Sequence, residues 1–229
     1  MRSRRIVGVI VGLIMMAIAV YPALKDNVTT SQQSTSHTTA NVSSQAITAL
    51  DTLAVKGRAP MTGYTRTQYG DGWATKNGCD TRDIILHRDL VDTTVNDKCQ
   101  VTSGVLHDPY TGKTINFTRG VETSSAVQID HIVAVGDAWQ TGAQQLSKDQ
   151  RVQLYNDPLE LLAVDGPSNE QKGDGDAATW LPPNKSFRCD YVARQIAVKQ
   201  KYNLWVTSAE KDAMTSILNG CPGEALPTK

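Results

Sequence analysis

Hydrophobic positions fall along this chain in three ways: one unbroken run near the start, alternation in short middle segments, and three-to-four spacing toward the end. The unbroken run is Ile6–Val20, preceded by Arg2, Arg4 and Arg5 and followed by no charge until Lys25. Residues 26–44 are rich in Ser, Thr and Gln and nearly free of bulky apolar side chains, which reads as a disordered linker. Ile47, Leu50 and Ala54 predict a short amphipathic helix over Ala46–Val55, ending at Gly57. Tyr64–Asp80 is a loop rich in Gly and aromatics, in which Trp73 is expected to pack rather than to stack on a base. Thr81–Leu90 sets Arg82, Asp83, His87, Arg88 and Asp89 around Ile84, Ile85 and Leu86, a helix or strand edge with internal ion pairs. His87 is a second candidate for a functional histidine, though a partly buried structural role is expected of it. Gln100–Leu106 and Lys113–Arg119 read as strands joined by the turn His107–Gly112, with His107 facing solvent. This hairpin is expected to extend the sheet of the strand that follows it.

Ala126–His131 and Leu159–Val164 are two more short apolar strands. A helical insertion separates them. Asp137–Leu146 is its first piece, and Ser147 with Gln150 opens a second, running to about Asn156, by a capping box. After the second strand, Asp165-Gly166-Pro167 is a turn, and Ser168 with Gln171 three residues on predicts a capped helix. Trp180-Leu181-Pro182-Pro183 ends regular structure. Over Asp190–Leu204 the 4-3-4-3 spacing of Tyr191, Gln195, Val198, Tyr202 and Trp205 predicts a buried helix face, with Arg194 and Lys201 on a solvated one. Thr207 with Glu210 caps a last helix that stops at Asn219-Gly220. The fold class is α+β: a strand–strand–helix core carrying a helical insertion, a preceding β-hairpin and C-terminal helices.

Composition changes this picture mainly at the ends. The basic start, the apolar run and Ala17-Ile18-Ala19 predict a signal peptide over residues 1–25 or, counting 19 mostly apolar residues to Leu24, an uncleaved membrane anchor. In either case the domain at 45–229 is expected outside the cytoplasmic membrane, secreted or anchored on its outer face. Asn27 and Asn41 sit in glycosylation sequons, informative only where the source glycosylates exported chains. The four cysteines suit an oxidising compartment and allow three pairings, of which Cys79–Cys99 with Cys189–Cys221 closes the most local loops. No C-x-x-C spacing suggests a structural zinc site, and there is no repeat, nucleotide-binding Gly loop or helix-turn-helix reader. The formal net charge is zero, and slightly acidic without the three N-terminal arginines, so nucleic-acid binding would need a local basic groove and a metal to offset phosphate charge.

The candidate chemistry sits at the junctions of the strand–strand–helix unit. Asp130 and His131 leave the first strand, and Asn169 lies in the first turn of the helix. A carboxylate and an amide oxygen suit a hard divalent cation, Mg²⁺ above all, which keeps waters and completes its shell with substrate phosphate. His131, left off the metal, has the ordinary pKa of a general base. Arg151, Lys172, Arg82 and Arg88 are candidates for phosphate contacts.

I-D-H-I-V at 129–133, Asn156 with Leu159, and S-N-E-Q-K-G-D at 168–174 together resemble the HNH (ββα-metal, His-Me finger) endonucleases. The nearer likeness is to a secreted actinobacterial branch related to the nuclease domain of GmrSD-type restriction enzymes. It extends over about Gly63–Cys221 through T-R-D-I-I-L-H-R-D-L, D-P-Y-T-G, G-D-A-W-Q-T-G-A and W-L-P-P-N. The resemblance implies a ββα-metal core with His131 as general base and Asp130 as metal ligand. It implies that Asn156 holds the loop that orients the imidazole, and that Asn169 stands at the last ligand position, where Asn favours Mg²⁺ over zinc. It further implies hydrolysis to 5′-phosphate and 3′-hydroxyl ends. Nucleic acid is the expected partner, DNA sooner than RNA, and the chain is expected to be a monomer. The rival readings are an exported, non-catalytic cell-surface binding module and a phosphodiesterase acting on another substrate.

Overall fold

The computed structural model describes residues 44–228, so the apolar run, most of the linker and both sequons lie outside the described residues. Helix α1 (Gln45–Thr52) is capped by Ser44, whose hydroxyl accepts from the Ile47 amide. A short hairpin, β1 (Thr75–Lys76) and β2 (Cys79–Asp80), leads into α2 (Thr81–Asp89), capped by Asp80. The charged Thr81–Leu90 segment is thus a helix, with Ile85 and Leu86 buried. His87 is exposed rather than partly buried, its Nδ1 3.0 Å from the Thr93 hydroxyl.

Strands β3 (Leu90–Val95), β4 (Val101–His107) and β5 (Thr114–Thr118) form a three-stranded antiparallel sheet in that order. Two expectations change here. Leu90–Val95 is a strand that no periodicity marked, because four of its six residues are exposed. The β4–β5 hairpin also takes β3 as its neighbour instead of extending the next sheet. Strands β6 (Val127–His131) and β7 (Leu161–Asp165) pair antiparallel as a separate two-stranded ribbon. The two sheets meet through side chains: Ile85, Leu106 and Phe117 share a core cluster with Val127, Ile129, Leu161 and Ala163.

Between β6 and β7 lie α3 (Val135–Gln140), a 3₁₀ turn at Ala143–Gln145, and α4 (Lys148–Tyr155). The Ser147–Gln150 capping box is present in both directions. Helix α5 (Gly166–Lys172) follows β7 directly and packs on both strands of the ribbon. Its cap is Asp165, which accepts from the Ser168 amide and hydroxyl; Ser168 is therefore inside the helix and not its N-cap. A Cβ at Gly166 would lie 2.0 Å from the Ser125 carbonyl, so only glycine lets α5 start this close to the ribbon.

Helices α6 (Arg188–Lys201) and α7 (Ser208–Leu218) close the far side against α1. Tyr191, Gln195, Val198, Tyr202 and Trp205 are buried as the spacing predicts. Arg194 is not on a solvated face: its guanidinium donates to the carbonyls of Pro158, Leu159 and Leu161 and ties α6 to the start of β7. A buried ion network lies beneath. Lys199 is wholly buried between Asp137 (3.1 Å) and Glu210 (2.9 Å), and Arg58 bridges Asp137 to Asp176. Burial pushes the Glu210 carboxyl up to about 7, against the opposing pull of Lys199.

Both disulfides pair as favoured from the sequence. Cys79–Cys99 spans 20 residues and Cys189–Cys221 spans 32, the latter stapling the start of α6 to the end of α7. Replacing Cys189 and Cys221 by Ser should cost about 2–4 kcal/mol, since closure of such a loop constrains the unfolded chain. Denaturant unfolding of the variant checks this; a midpoint equal to wild type would show that the staple does not bear on global stability.

Candidate active site

Register places the site. Asp130 faces Leu162 and His131 faces Leu161 across the β6–β7 ladder, and the chain turns out of the ribbon at Ile132. The two neighbouring side chains consequently leave the strand on opposite faces.

His131 enters an aromatic slot. Its ring stacks on Trp73 with centroids 5.6 Å apart and planes within 6°, and lies 4.3 Å from the ring of Tyr155. Its Nε2 is 3.0 Å from the Tyr155 carbonyl. A carbonyl can only accept, so Nε2 carries the proton and Nδ1 keeps a lone pair, with no hydrogen-bond partner among the described residues. Burial pushes the imidazole down to about 3; the charges of Arg66 and Lys172 act in the same direction, and the Tyr155 bond opposes them. The imidazole is therefore held neutral, and the ordinary pKa expected of it is corrected: burial makes His131 a weaker base than a free imidazole.

This has a stability consequence. Between about 6.5, the unfolded value, and the folded value near 3, only the unfolded chain takes up the proton. The contribution is full above about pH 6.5 and is lost as pH falls toward 3. The His131 imidazole resonances in an NMR titration should stay flat from about pH 8 to about pH 5; an inflection near the ordinary histidine value would show a hydrated ring.

Asn156 caps the end of α4. Its Oδ1 accepts from the Ala74 amide at 2.8 Å, and its Nδ2 donates to the Val152 carbonyl at 3.0 Å. It does not bond His131. It pins the loop carrying Trp73 to the helix end carrying Tyr155, the two groups that enclose the imidazole. The packing expectation for Trp73 is met, with the imidazole itself as the partner.

On the other face of β6, Asp130 is nearly buried. Its Oδ1 accepts from Lys172 Nζ at 2.9 Å, and its Oδ2 accepts from the buried Tyr110 hydroxyl. Lys172 is wholly buried and also donates to the His131 carbonyl at 2.8 Å. It is therefore an internal cation, not the solvent-side phosphate contact expected of it. Asn169 donates through Nδ2 to Gln128 at 2.9 Å, which leaves its Oδ1 without a hydrogen-bond partner among the described residues.

The other three expected phosphate contacts are also engaged internally. Arg82 donates to the Val127 carbonyl and lies over Phe117. Arg88 is held by Asp89 and by the carbonyls of Pro158 and Leu161. Arg151 donates to Leu146 and Gln68 and lies over Trp139. In each case a guanidinium with five donors finds backbone carbonyls within reach after packing, at strand ends as well as in loops.

A cavity of about 280 Å³ collects the site, its wall including Asp130, His131, Asn169, Glu170, Asp174 and Arg66. Gly136 shapes one side, since a Cβ there would lie 2.5–2.6 Å from the Asp174 carboxylate atoms. No three His, Cys, Asp or Glu residues form a ready metal cage among the described residues. The donors do fit a largely hydrated hard cation, which needs only one or two protein oxygens. Asn169 lines the cavity and its Oδ1 has no hydrogen-bond partner among the described residues, whereas both Asp130 oxygens are engaged, by the Lys172 ammonium and the Tyr110 hydroxyl. Arg66 and Tyr155 have no sequence signal at all; each joins the site from a distant loop or helix end.

An α+β domain whose polar residues gather around one buried, neutral imidazole is the class that fold and site define. The chain belongs to the family described as GmrSD restriction endonucleases, C-terminal domain, whose model matches residues 80–217, and is accordingly a nuclease-type domain. It is also similar to a protein of Arthroderma benhamiae named "Uncharacterized secreted protein", 39% identical over 181 residues that cover 78% of this chain and 85% of that one. No solved structure matches.

Proposed function

We propose that this protein is an exported endonuclease of the HNH, ββα-metal type that hydrolyses phosphodiester bonds in nucleic acid. The observation that carries the reading is the neutral His131, its Nδ1 lone pair free, on the wall of the cavity that Asp130 and Asn169 share, in a chain of this family. Export is supported by the N-terminal pattern, by the two disulfides and by the word "secreted" in the name of the similar protein.

In this mechanism His131 Nδ1 takes a proton from water as its oxygen bonds phosphorus. The P–O3′ bond breaks, and the departing oxygen takes a proton from solvent, leaving 5′-phosphate and 3′-hydroxyl ends. The Tyr155 carbonyl holds Nε2–H and stabilises the imidazolium that forms, while Trp73 and Tyr155 keep the ring from rotating. Asn156 is a positioning residue acting through both. Asn169, together with Asp130 once Lys172 yields it, would hold a divalent cation, Mg²⁺ best suited. Such an ion supplies charge stabilisation at the phosphoryl and departing oxygens.

Incubation of the purified, oxidised chain with supercoiled plasmid, linear duplex, single strands and RNA, with and without EDTA, tests the proposal. Nicking that EDTA stops and Mg²⁺ restores is expected. Intact nucleic acid in every lane would leave the binding-module reading, and hydrolysis of other phosphodiesters alone would leave the other enzyme reading.

A further inference from the structure

We propose that Arg66 is the residue that contacts the scissile phosphate, an assignment that rests on the hydrolytic reading above. Arg66 stands in a 3₁₀ turn, Arg66–Tyr69, whose backbone is fixed from behind by the Tyr69 hydroxyl donating to the Val135 carbonyl at 2.8 Å. Its guanidinium lies 5.6 Å from the centre of the Tyr155 ring, and its Nε donates to the Tyr155 hydroxyl at 3.3 Å. The same Tyr155 ring lies 4.3 Å from the His131 ring. One aromatic side chain therefore contacts both the base and a cation, and both groups line the same cavity.

What separates Arg66 from the other cations near this site is that its two terminal nitrogens are uncommitted. It forms no ion pair and no further hydrogen bond among the described residues, and the side chain is exposed. Lys172 is sequestered on Asp130, and Arg82, Arg88 and Arg151 are tied to carbonyls or to a neighbouring carboxylate. A guanidinium anchored at Nε presents Nη1 and Nη2 as a parallel fork, the geometry that matches two oxygens of a phosphate. Those non-bridging oxygens gain negative charge as water attacks, so a cation held here stabilises the transition state more than the bound substrate. Glu170 and Asp174 on the same wall oppose entry of an anion, which makes an uncommitted cation beside His131 the more necessary.

The test uses the oxidised mature chain, with bis(p-nitrophenyl) phosphate as a substrate too small to reach groove contacts and plasmid as a large one. Arg66→Ala should lower kcat on both by about 10²–10³-fold, the size of one lost transition-state donor, while KM for plasmid changes little. Arg66→Lys should fall between, because a point charge replaces the fork. Added guanidinium ion should restore part of the Arg66→Ala rate, and the thermal midpoint should match wild type because the side chain is exposed. A rate near wild type in Arg66→Ala overturns the assignment. So does a loss that guanidinium leaves untouched and that accompanies a lowered midpoint, for then Arg66 merely props Tyr155. A wild-type chain that hydrolyses neither substrate overturns the hydrolytic reading itself, and the Arg66 assignment falls with it.

Discussion

His131→Ala is expected to lower the cleavage rate by roughly 10²–10⁴-fold, the usual contribution of a positioned general base, while leaving affinity for Mg²⁺ nearly intact. The separation follows from geometry. The imidazole leaves β6 on the Trp73–Tyr155 face, and the oxygen donors Asp130 and Asn169 belong to the face that packs on α5. The variant should fold, because among the described residues the side chain it removes hydrogen-bonds to one carbonyl alone. The hole between Trp73 and Tyr155 will still cost some stability. Asn156→Ala should lower the rate less, through a looser ring, since Asn156 holds the slot and does not touch the imidazole. Single-turnover cleavage alongside calorimetric Mg²⁺ titration decides the matter. If His131→Ala lost metal but kept its rate at saturating ion, the histidine would be a ligand and the base would lie elsewhere.

Lys172→Met should destabilise the fold by about 3–5 kcal/mol, the usual consequence of stripping one partner from a buried ion pair. Among the described residues the nearly buried Asp130 carboxylate would keep only the Tyr110 hydroxyl, and the His131 carbonyl would lose the Lys172 ammonium. Two further measurements locate the cause. Adding Asp130→Asn should recover part of the loss, because no uncompensated charge then remains. Mg²⁺ should raise the thermal midpoint of Lys172→Met more than that of wild type, because the ion no longer competes with an ammonium for Asp130. A ligand present at about a hundred times its Kd adds about 2.7 kcal/mol, so the difference is measurable. An equal Mg²⁺ response in both proteins would mean that Asp130 is a structural anchor and that the cation is held without it.

Much of the chain's order was legible without the structure because the signals are local. The capping boxes Ser147–Gln150 and Thr207–Glu210 each join residues three apart, and both are present. The buried face of α6 follows from helical spacing, and the two disulfides close the shortest available loops. Asp130 and His131 at a strand end, and the helix that begins right after the second strand, are likewise consequences of consecutive residues.

The tertiary structure decided what depends on partners far apart in sequence. Lys172 and Asp130 are 42 residues apart, and only their juxtaposition turns a lysine in a polar run into a buried counter-charge. Arg66 reaches Tyr155 across 89 residues, and Trp73 meets His131 through a loop that Asn156 anchors from 82 positions away. Leu90–Val95 became a strand because β4 offered an open edge, although its own alternation is too weak to announce it. By itself the sequence determined most of the capped helices and the alternating or apolar strands, together with the residue types at their ends, since those depend on neighbours within a turn or a pleat. Which of the described cations are committed, and that Arg66 keeps its terminal nitrogens uncommitted among the described residues, depended on where carbonyls and carboxylates come to lie after packing, and that is a property of the folded chain alone.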